Sequence, residues 1–180
     1  YSDYGYVALD VKGKDGLHCH NHPNFAEQCF FEPSLTNKKE SSIFIIGGSQ
    51  ISSVGASLKD EVLNMGYGYR HITLSACPYI EDFERINFVE NKISNTCSSE
   101  RHAKVKDLLI KNINNIAVLA GRFPIYLSLE LFDNGEGGIE GGANNKWDTK
   151  FYHKYREINL VEGYKNSVLN LLKSGINVIL

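Results

Sequence analysis

Residues Ser42–Leu63 constrain this chain more than any other stretch. The run Ile43-Phe44-Ile45-Ile46 is followed by Gly47-Gly48-Ser49-Gln50 and then by a segment with Val54, Leu58, Val62 and Met65 at helical spacing. Consecutive apolar, mostly β-branched residues predict a strand buried on both faces, as in a parallel sheet covered by helices. The two glycines allow a sharp turn, and Ser52 or Ser53 is placed to cap the helix that follows. This order puts Ser49 at the C-terminal edge of the strand, beside the free amides of a helix N-terminus. Open α/β sheets bind ligands at that edge, and helix amides there can hold an anion. A plain βα turn would use Gly47, Gly48 and Ser49 for backbone reasons alone, and residue types weigh the two readings equally.

The same alternation continues along the chain. Met65-Gly66-Tyr67-Gly68 ends the first helix, and Tyr69–Leu74 reads as a second strand that Ser75-Ala76-Cys77-Pro78 turns away from. Residues 79–97 read as loop with a short helical piece. Ser98 or Ser99 then caps a helix with Val105, Leu108, Leu109 and Ile113 on one face. Ile116–Ala120 is a third buried strand. Phe132–Trp147 carries five glycines together with Glu136 and Glu140. It matches neither a phosphate loop nor an EF-hand, and reads as a long surface loop. Val161, Tyr164, Val168, Leu171 and Leu172 mark a last amphipathic helix, closed by Lys173-Ser174-Gly175 before a fourth strand, Ile176–Leu180. This β-α-β-α-β-α-β order predicts four parallel strands, the first at the centre, with helices on both faces.

At 180 residues the chain is long enough for one domain with a proper core. A net charge of -2, without a basic stripe, gives no reason to expect a nucleic-acid partner. The longest apolar runs are too short to span a membrane, and no signal peptide is visible. The chain begins at Tyr1 and its single methionine is Met65, so the expectation is a piece of a longer protein, incomplete at both ends.

Residues 1–42 form a lead-in in which Tyr6–Leu9 could be a short edge strand. Residues 43–180 form the α/β domain. The four cysteines allow three pairings; Cys19 with Cys29 and Cys77 with Cys97 closes the smallest loops and costs the least chain entropy. Disulfides, and with them an oxidising compartment, are favoured over four reduced thiols. His18-Cys19-His20-Asn21-His22 places alternate histidines where they could meet a zinc or copper ion. With Pro23 in the stretch and no second ligand pair, a solvated loop carrying a disulfide is the favoured reading, and no metal or cofactor is expected.

Ile43–Gln50 with its following helix resembles the first block of SGNH hydrolases, usually Gly-Asp-Ser and often followed by His. More of the chain is similar to one branch, the SGNH domain fused to acyltransferase-3 membrane proteins. In that branch a cysteine pair precedes the block, as Cys19 and Cys29 do here. A Thr-x-x-x-Cys-Pro segment follows the second strand, matched by Thr73–Pro78. An Ala-x-Arg-Trp-x-x-Tyr segment follows the third, matched by Ala120–Tyr126 with Phe123 in place of Trp. A Phe-x-Asn-x-x-Gly-Gly-x-Glu loop is matched by Phe132–Glu140.

The resemblance implies a three-layer α/β/α, flavodoxin-like parallel sheet, C-terminally truncated. It also implies a place on the periplasmic or extracytoplasmic face of a bacterial inner membrane, within a longer membrane protein. The activity implied is O-acetylation of envelope polysaccharide, including lipopolysaccharide, with a fused membrane domain as acyl donor. Ser49 would be the nucleophile, forming an acyl-enzyme through a tetrahedral oxyanion to which its own N–H donates. Gly48, Gln50, Ser75 and Arg122 are candidates for substrate or oxyanion contacts, although Arg122 suits a structural ion pair as well. Gly48 and Gln50 stand where the family has Asp and often His. The family's catalytic Asp-x-x-His lies after a fifth strand, so residues 1–180 alone are expected to lack the triad's base. Two other readings stand beside acyl transfer: a degenerate SGNH domain that binds glycan or a partner, and a nucleotide-binding domain using Gly47-Gly48-Ser49 as a phosphate cradle. The last has neither Gly-x-Gly-x-x-Gly nor a Walker lysine.

Overall fold

The computed structural model describes residues 11–34, 38–87, 92–94, 96–128, 132–133, 139–140 and 149–180. In chain order the elements are α1 (Phe25–Gln28), β1 (Phe30–Phe31), β2 (Ser42–Gly47), α2 (Ser49–Ser53), α3 (Gly55–Asn64), β3 (Gly68–Thr73), β4 (Phe83–Asn87), β5 (Lys92–Ile93), α4 (Ser99–Leu109), β6 (Ile116–Ala120), α5 (Phe123–Ser128), β7 (Phe132–Asp133), β8 (Ile139–Glu140), β9 (Thr149–His153), α6 (Leu160–Lys173) and β10 (Asn177–Ile179). They fall into two compact units, one of Tyr1–Pro78, Asn112–Gly121 and Asn177–Leu180, the other of Tyr79–Lys111 and Arg122–Ile176.

The first unit holds a five-stranded sheet in the order β1-β3-β2-β6-β10. The strands β3, β2, β6 and β10 are mutually parallel, and β1 pairs antiparallel with β3 at the edge. The four parallel strands and the central place of the first are therefore as the sequence predicts, and the fold is α/β with a mixed, mostly parallel sheet. Counting parallel strands alone, the order is second, first, third, fourth. That order reverses between β2 and β6, the switch point where doubly wound sheets bind ligands. Phe44, Ile45 and Ile46 are buried along β2, each contributing about 1.5–3 kcal/mol of apolar burial. Asn115 sets the register at the other end, accepting the Ser42 amide at 2.9 Å through Oδ1. Tyr6–Leu9 lies outside the described residues; the edge strand found is β1.

The single helix expected after Ser49 is two helices broken at Val54. Ser52 does not cap it but is buried within α2, while Val54 and Met65 are exposed. Val62 is buried as expected, but at the start of α3 the face turned to β3 is small and polar. A Cβ at Gly55 would meet the His71 ring at 2.5 Å, and the Tyr69 hydroxyl donates to the Gly55 carbonyl at 2.8 Å. A hydrophobic repeat cannot show a packing face made of Ser52 and Gly55.

In the second unit, β5-β4-β9 form an antiparallel sheet where the sequence reads loop with a helical piece over 79–97. Phe83 and Ile80 are fully buried there, and the short strands carry too few alternating residues to stand out. Ser98 caps α4, accepting the Arg101 amide, and Asn159 caps α6, accepting the Glu162 amide. Val105 and Leu109 are buried as expected, whereas Ile113 lies beyond the helix and is exposed. On α6 the buried stripe is Leu160, Gly163, Ser167 and Leu171, while Val161 and Leu172 are exposed. The cause is Phe83, whose ring lies 2.2 Å from where a Gly163 Cβ would be. Phe132–Asp133 and Ile139–Glu140 pair as a two-stranded ribbon; residues 134–138 and 141–147 of the expected surface loop are outside the described residues. No helix among the described residues is long and apolar enough to cross a membrane.

Candidate active site

Gly47 ends β2 opposite Thr73 on one side and Ala120 on the other. Its φ is +148°, and a Cβ there would sit 1.9 Å from the Ala120 carbonyl oxygen. No residue with a side chain fits between the strand ends, so the first glycine of the pair is fixed by close approach. Gly48 is different. Its φ of -83° and ψ of -167° are ordinary extended values open to any residue, and its amide donates to the Ala120 carbonyl at 3.4 Å. Its use as a backbone donor is thus directed at β6.

Ser49 opens α2 and is exposed at the carboxyl edge of the central strand. The backbone therefore delivers it to the switch point between β2 and β6. Gln50 beside it is also exposed, and its carbonyl accepts the Ser53 hydroxyl at 2.7 Å. The helix Ser49–Ser53 is only five residues long, shorter than the continuous helix expected to supply anion-binding amides.

Ser75 lies two residues beyond the end of the neighbouring strand β3 and is exposed. Its amide, one conceivable oxyanion donor, is committed to Oδ1 of Asn21 at 2.7 Å. Its hydroxyl accepts from Nδ2 of Asn21 at 3.1 Å and stands 3.0 Å from Nε2 of His20. The other ring nitrogen of His20 is 3.0 Å from Oγ1 of Thr73. Asn21 also donates its amide to the Thr73 carbonyl, so residues 20–21 line the edge of β3. Sequence reasoning singled out Ser75 but not His20 or Asn21 as its partners; the pairing spans more than fifty positions and leaves no local trace. Arg122 follows β6 by two residues, and its carbonyl accepts the Tyr126 amide at 3.4 Å on α5.

The His18–His22 segment divides its side chains among separate partners. Cys19 is bonded to Cys29, with Cα atoms 5.6 Å apart. His18 is 2.8 Å from Nζ of Lys12. His22 is buried, with Nε2 3.0 Å from Oδ2 of Asp15 and Nδ1 accepting the Asn24 amide at 3.0 Å. The tetrad Asp15-Gly16-Leu17-His18 has Asp-x-x-His spacing, yet Asp15 pairs with His22. Both nitrogens of His22 are thereby used, Nε2–H donating to the carboxylate, and no lone pair is left to act as a base. Cys77 and Cys97 are disulfide-bonded as well, and no cysteine is free among the described residues.

No curated protein and no solved structure matches the chain. One family model does, over residues 18–180, the SGNH domain fused to AT3 domains. The matched span takes in Cys19, the β2–Ser49 turn, the Thr73–Pro78 and Ala120–Tyr126 segments and the last helix. A mostly parallel sheet with a serine exposed beyond its central strand, together with that match, places the chain in the family of SGNH domains fused to AT3 domains.

Proposed function

We propose that this domain transfers an acyl group, acetyl in the first instance, to or from hydroxyls of an envelope polysaccharide through an acyl-Ser49 intermediate. Membership in an SGNH family fused to AT3 domains suggests acyl-transfer or hydrolase-type chemistry. The observation that carries the finer reading is the position of Ser49, exposed at the carboxyl edge of the central strand where the strand order reverses. A fused membrane acyltransferase would deliver the acyl group on the extracytoplasmic side, in keeping with a chain whose described cysteines are all in disulfides. Ser49 Oγ attacks the acyl carbonyl while a base takes its proton, the tetrahedral intermediate expels the donor's leaving group, which takes that proton, and the acyl-serine then yields to a sugar hydroxyl or to water in the same way. Gly48, Gln50, Ser75 and Arg122 are the residues proposed to face the substrate. The test is acetate release from acetylated polysaccharide by the intact protein and by its Ser49→Ala variant. Loss of about 10³-fold or more in the variant is expected; equal rates would end the acyl-Ser49 reading.

A second reading, a module that binds glycan without turning it over, is favoured by one feature of the second unit. A cavity of about 400 Å³ there is lined by Glu81, Asp82, His153, Arg156, Asn166 and Asn170 among others. Carboxylates, amides and cations around one hollow suit a polyhydroxyl ligand. Saturable polysaccharide binding that survives Ser49→Ala, without acetate release from either protein, would select this reading.

A further inference from the structure

We infer that Ser75 and His20 form a second activated-serine pair, in which His20 Nε2 is the base for the Ser75 hydroxyl. This deepens the acyl-transfer reading and rests on it for the class of electrophile, an acyl ester, but it involves a serine other than Ser49. A chain of hydrogen bonds runs from Tyr69 to Ser75, its direction set at the Tyr69 end. The Tyr69 hydroxyl donates its single proton to the Gly55 carbonyl at 2.8 Å, so toward Nδ1 of His71, 3.0 Å away, its oxygen accepts. His71 therefore carries its proton on Nδ1, and Nε2 is the acceptor. Thr73 Oγ1 lies 2.9 Å from that Nε2 and 3.2 Å from Ser52 Oγ, and Ser52 Oγ is itself 3.1 Å from the same nitrogen. With Thr73 Oγ1 donating to Ser52 Oγ and the Ser52 hydroxyl donating to Nε2, the Thr73 proton points inward and its lone pairs face His20. Nδ1 of His20, 3.0 Å from Thr73 Oγ1, is then the protonated nitrogen. That leaves the Nε2 lone pair aimed at the Ser75 hydroxyl, 3.0 Å away.

Nucleophile, base and orienting group thus stand in hydrogen-bond sequence, the arrangement that activates serine irrespective of fold. His71 and Thr73 are fully buried and Ser52 is nearly so, so the tautomer is held in a water-excluded strip, while Ser75 faces solvent. Two further observations agree. Asn21 (φ 63°) and Ala76 (φ 49°) both adopt left-handed backbone conformations, each next to one member of the pair. Non-glycine residues hold such conformations at a cost, and these outliers gather at functional sites. Asn21 also fixes Ser75 from two directions, through its amide and its hydroxyl.

In the step assigned to the pair, Ser75 Oγ adds to the ester carbonyl carbon while its proton passes to His20 Nε2. Collapse of the tetrahedral intermediate expels the alkoxide, which takes that proton back from Nε2 and leaves acyl-Ser75. An incoming sugar hydroxyl or water reverses the sequence, giving its proton to Nε2.

The test is a fluorophosphonate, which an activated serine attacks with loss of fluoride, applied to the intact protein with labelled residues mapped by peptide mass spectrometry. Labelling of Ser75 is expected, at a rate reduced at least tenfold in His20→Ala and in His20→Gln. Ser49 labelling in the same molecules reports whether the variants are folded. A Ser75 rate unchanged by either His20 substitution overturns the inference. Labelling of Ser49 without Ser75 overturns it and leaves the acyl-Ser49 reading intact. Absence of label from both serines overturns the inference and counts against acyl-serine chemistry altogether.

Discussion

The Ser52 hydroxyl stands 3.1 Å from Nε2 of His71, which ties the helix that begins at Ser49 to the adjacent strand through a polar contact in an otherwise closed interior. Around it lie Thr73 Oγ1 and the Tyr69 hydroxyl, so one imidazole serves three hydroxyls. Such a network is stabilising only while complete, since removal of one member strands the others in a low dielectric.

His71→Leu is therefore expected to destabilise the protein by about 2–4 kcal/mol, the penalty of leaving buried hydroxyls unsatisfied. Ser52→Ala should cost about 1 kcal/mol, because His71 keeps Thr73 as a partner. Urea unfolding of both variants and of the double variant measures this. The double variant should lose less than the sum; strict additivity would mean that the two side chains are not coupled.

The two glycines after β2 should respond in opposite ways. Gly47→Ala drives a Cβ to within 1.9 Å of a backbone oxygen at a positive φ, so β2 and β6 must part, and a loss of about 3 kcal/mol or more is expected. Gly48→Asp, which installs the residue common in the family, meets ordinary φ and ψ at the N-cap of α2. It should change stability by less than about 1 kcal/mol, an aspartate there being a slightly better cap than glycine. Thermal melting of the two variants side by side checks both statements; a Gly47→Ala protein as stable as the parent would contradict the strand geometry.

The difference between these glycines is not legible in Ile-Ile-Gly-Gly-Ser; it appears only when Ala120 is seen across the ladder. The same division runs through the molecule. Apolar runs such as Ile43–Ile46 and Ile116–Ala120 announce parallel strands, because burial on both faces needs continuous hydrophobicity, and the cap at Ser98 or Ser99 is a local signal of the same kind, realised at Ser98. Hidden from the sequence were faces built of small or polar residues. Gly163 and Ser167 turn α6 toward Phe83, Ser52 and Gly55 turn α2 and α3 toward Tyr69 and His71, and neither set raises a hydrophobic pattern. Ser49 was visible because its turn is local. The partners of Ser75 were not, because His20 and Asn21 reach it from the opposite end of the segment, held there by Cys19.

That disulfide carries the next expectation. Cys19 and Cys29 are fully buried and close a short loop, so their reduction should cost about 2–3 kcal/mol. Because His20 adjoins Cys19, the Cys19→Ser/Cys29→Ser protein should also lose order at Ser75 before it unfolds globally. Amide exchange at Ser75 and Ala76 faster than at β6 in that variant would show it; uniform exchange across both would argue that the disulfide stabilises the whole sheet without positioning the loop.

Two carboxylates of the first unit are held below the ordinary carboxyl range. Desolvation raises the Asp15 carboxyl, but the Leu17 amide and His22 lower it further, leaving its pKa below the usual range. Glu32 is likewise below the usual range. Desolvation again opposes, and hydrogen bonds to Lys38, at 2.6 Å, and to Arg70 prevail. A carboxyl whose folded pKa lies below its unfolded value adds stability that is complete above the unfolded pKa, near 4, and disappears as pH falls through the folded one. No change from these groups is therefore expected between pH 7 and about pH 5, and a decline should set in below about pH 4. Both carboxylates are partly solvent-accessible, so each contributes little, and the expected signature is the shape of the curve. In Asp15→Asn and Glu32→Gln variants the melting temperature should lie below that of the parent at neutral pH and converge with it in acid. A constant offset at all pH values would assign the loss to packing and remove both carboxylates from the pH dependence.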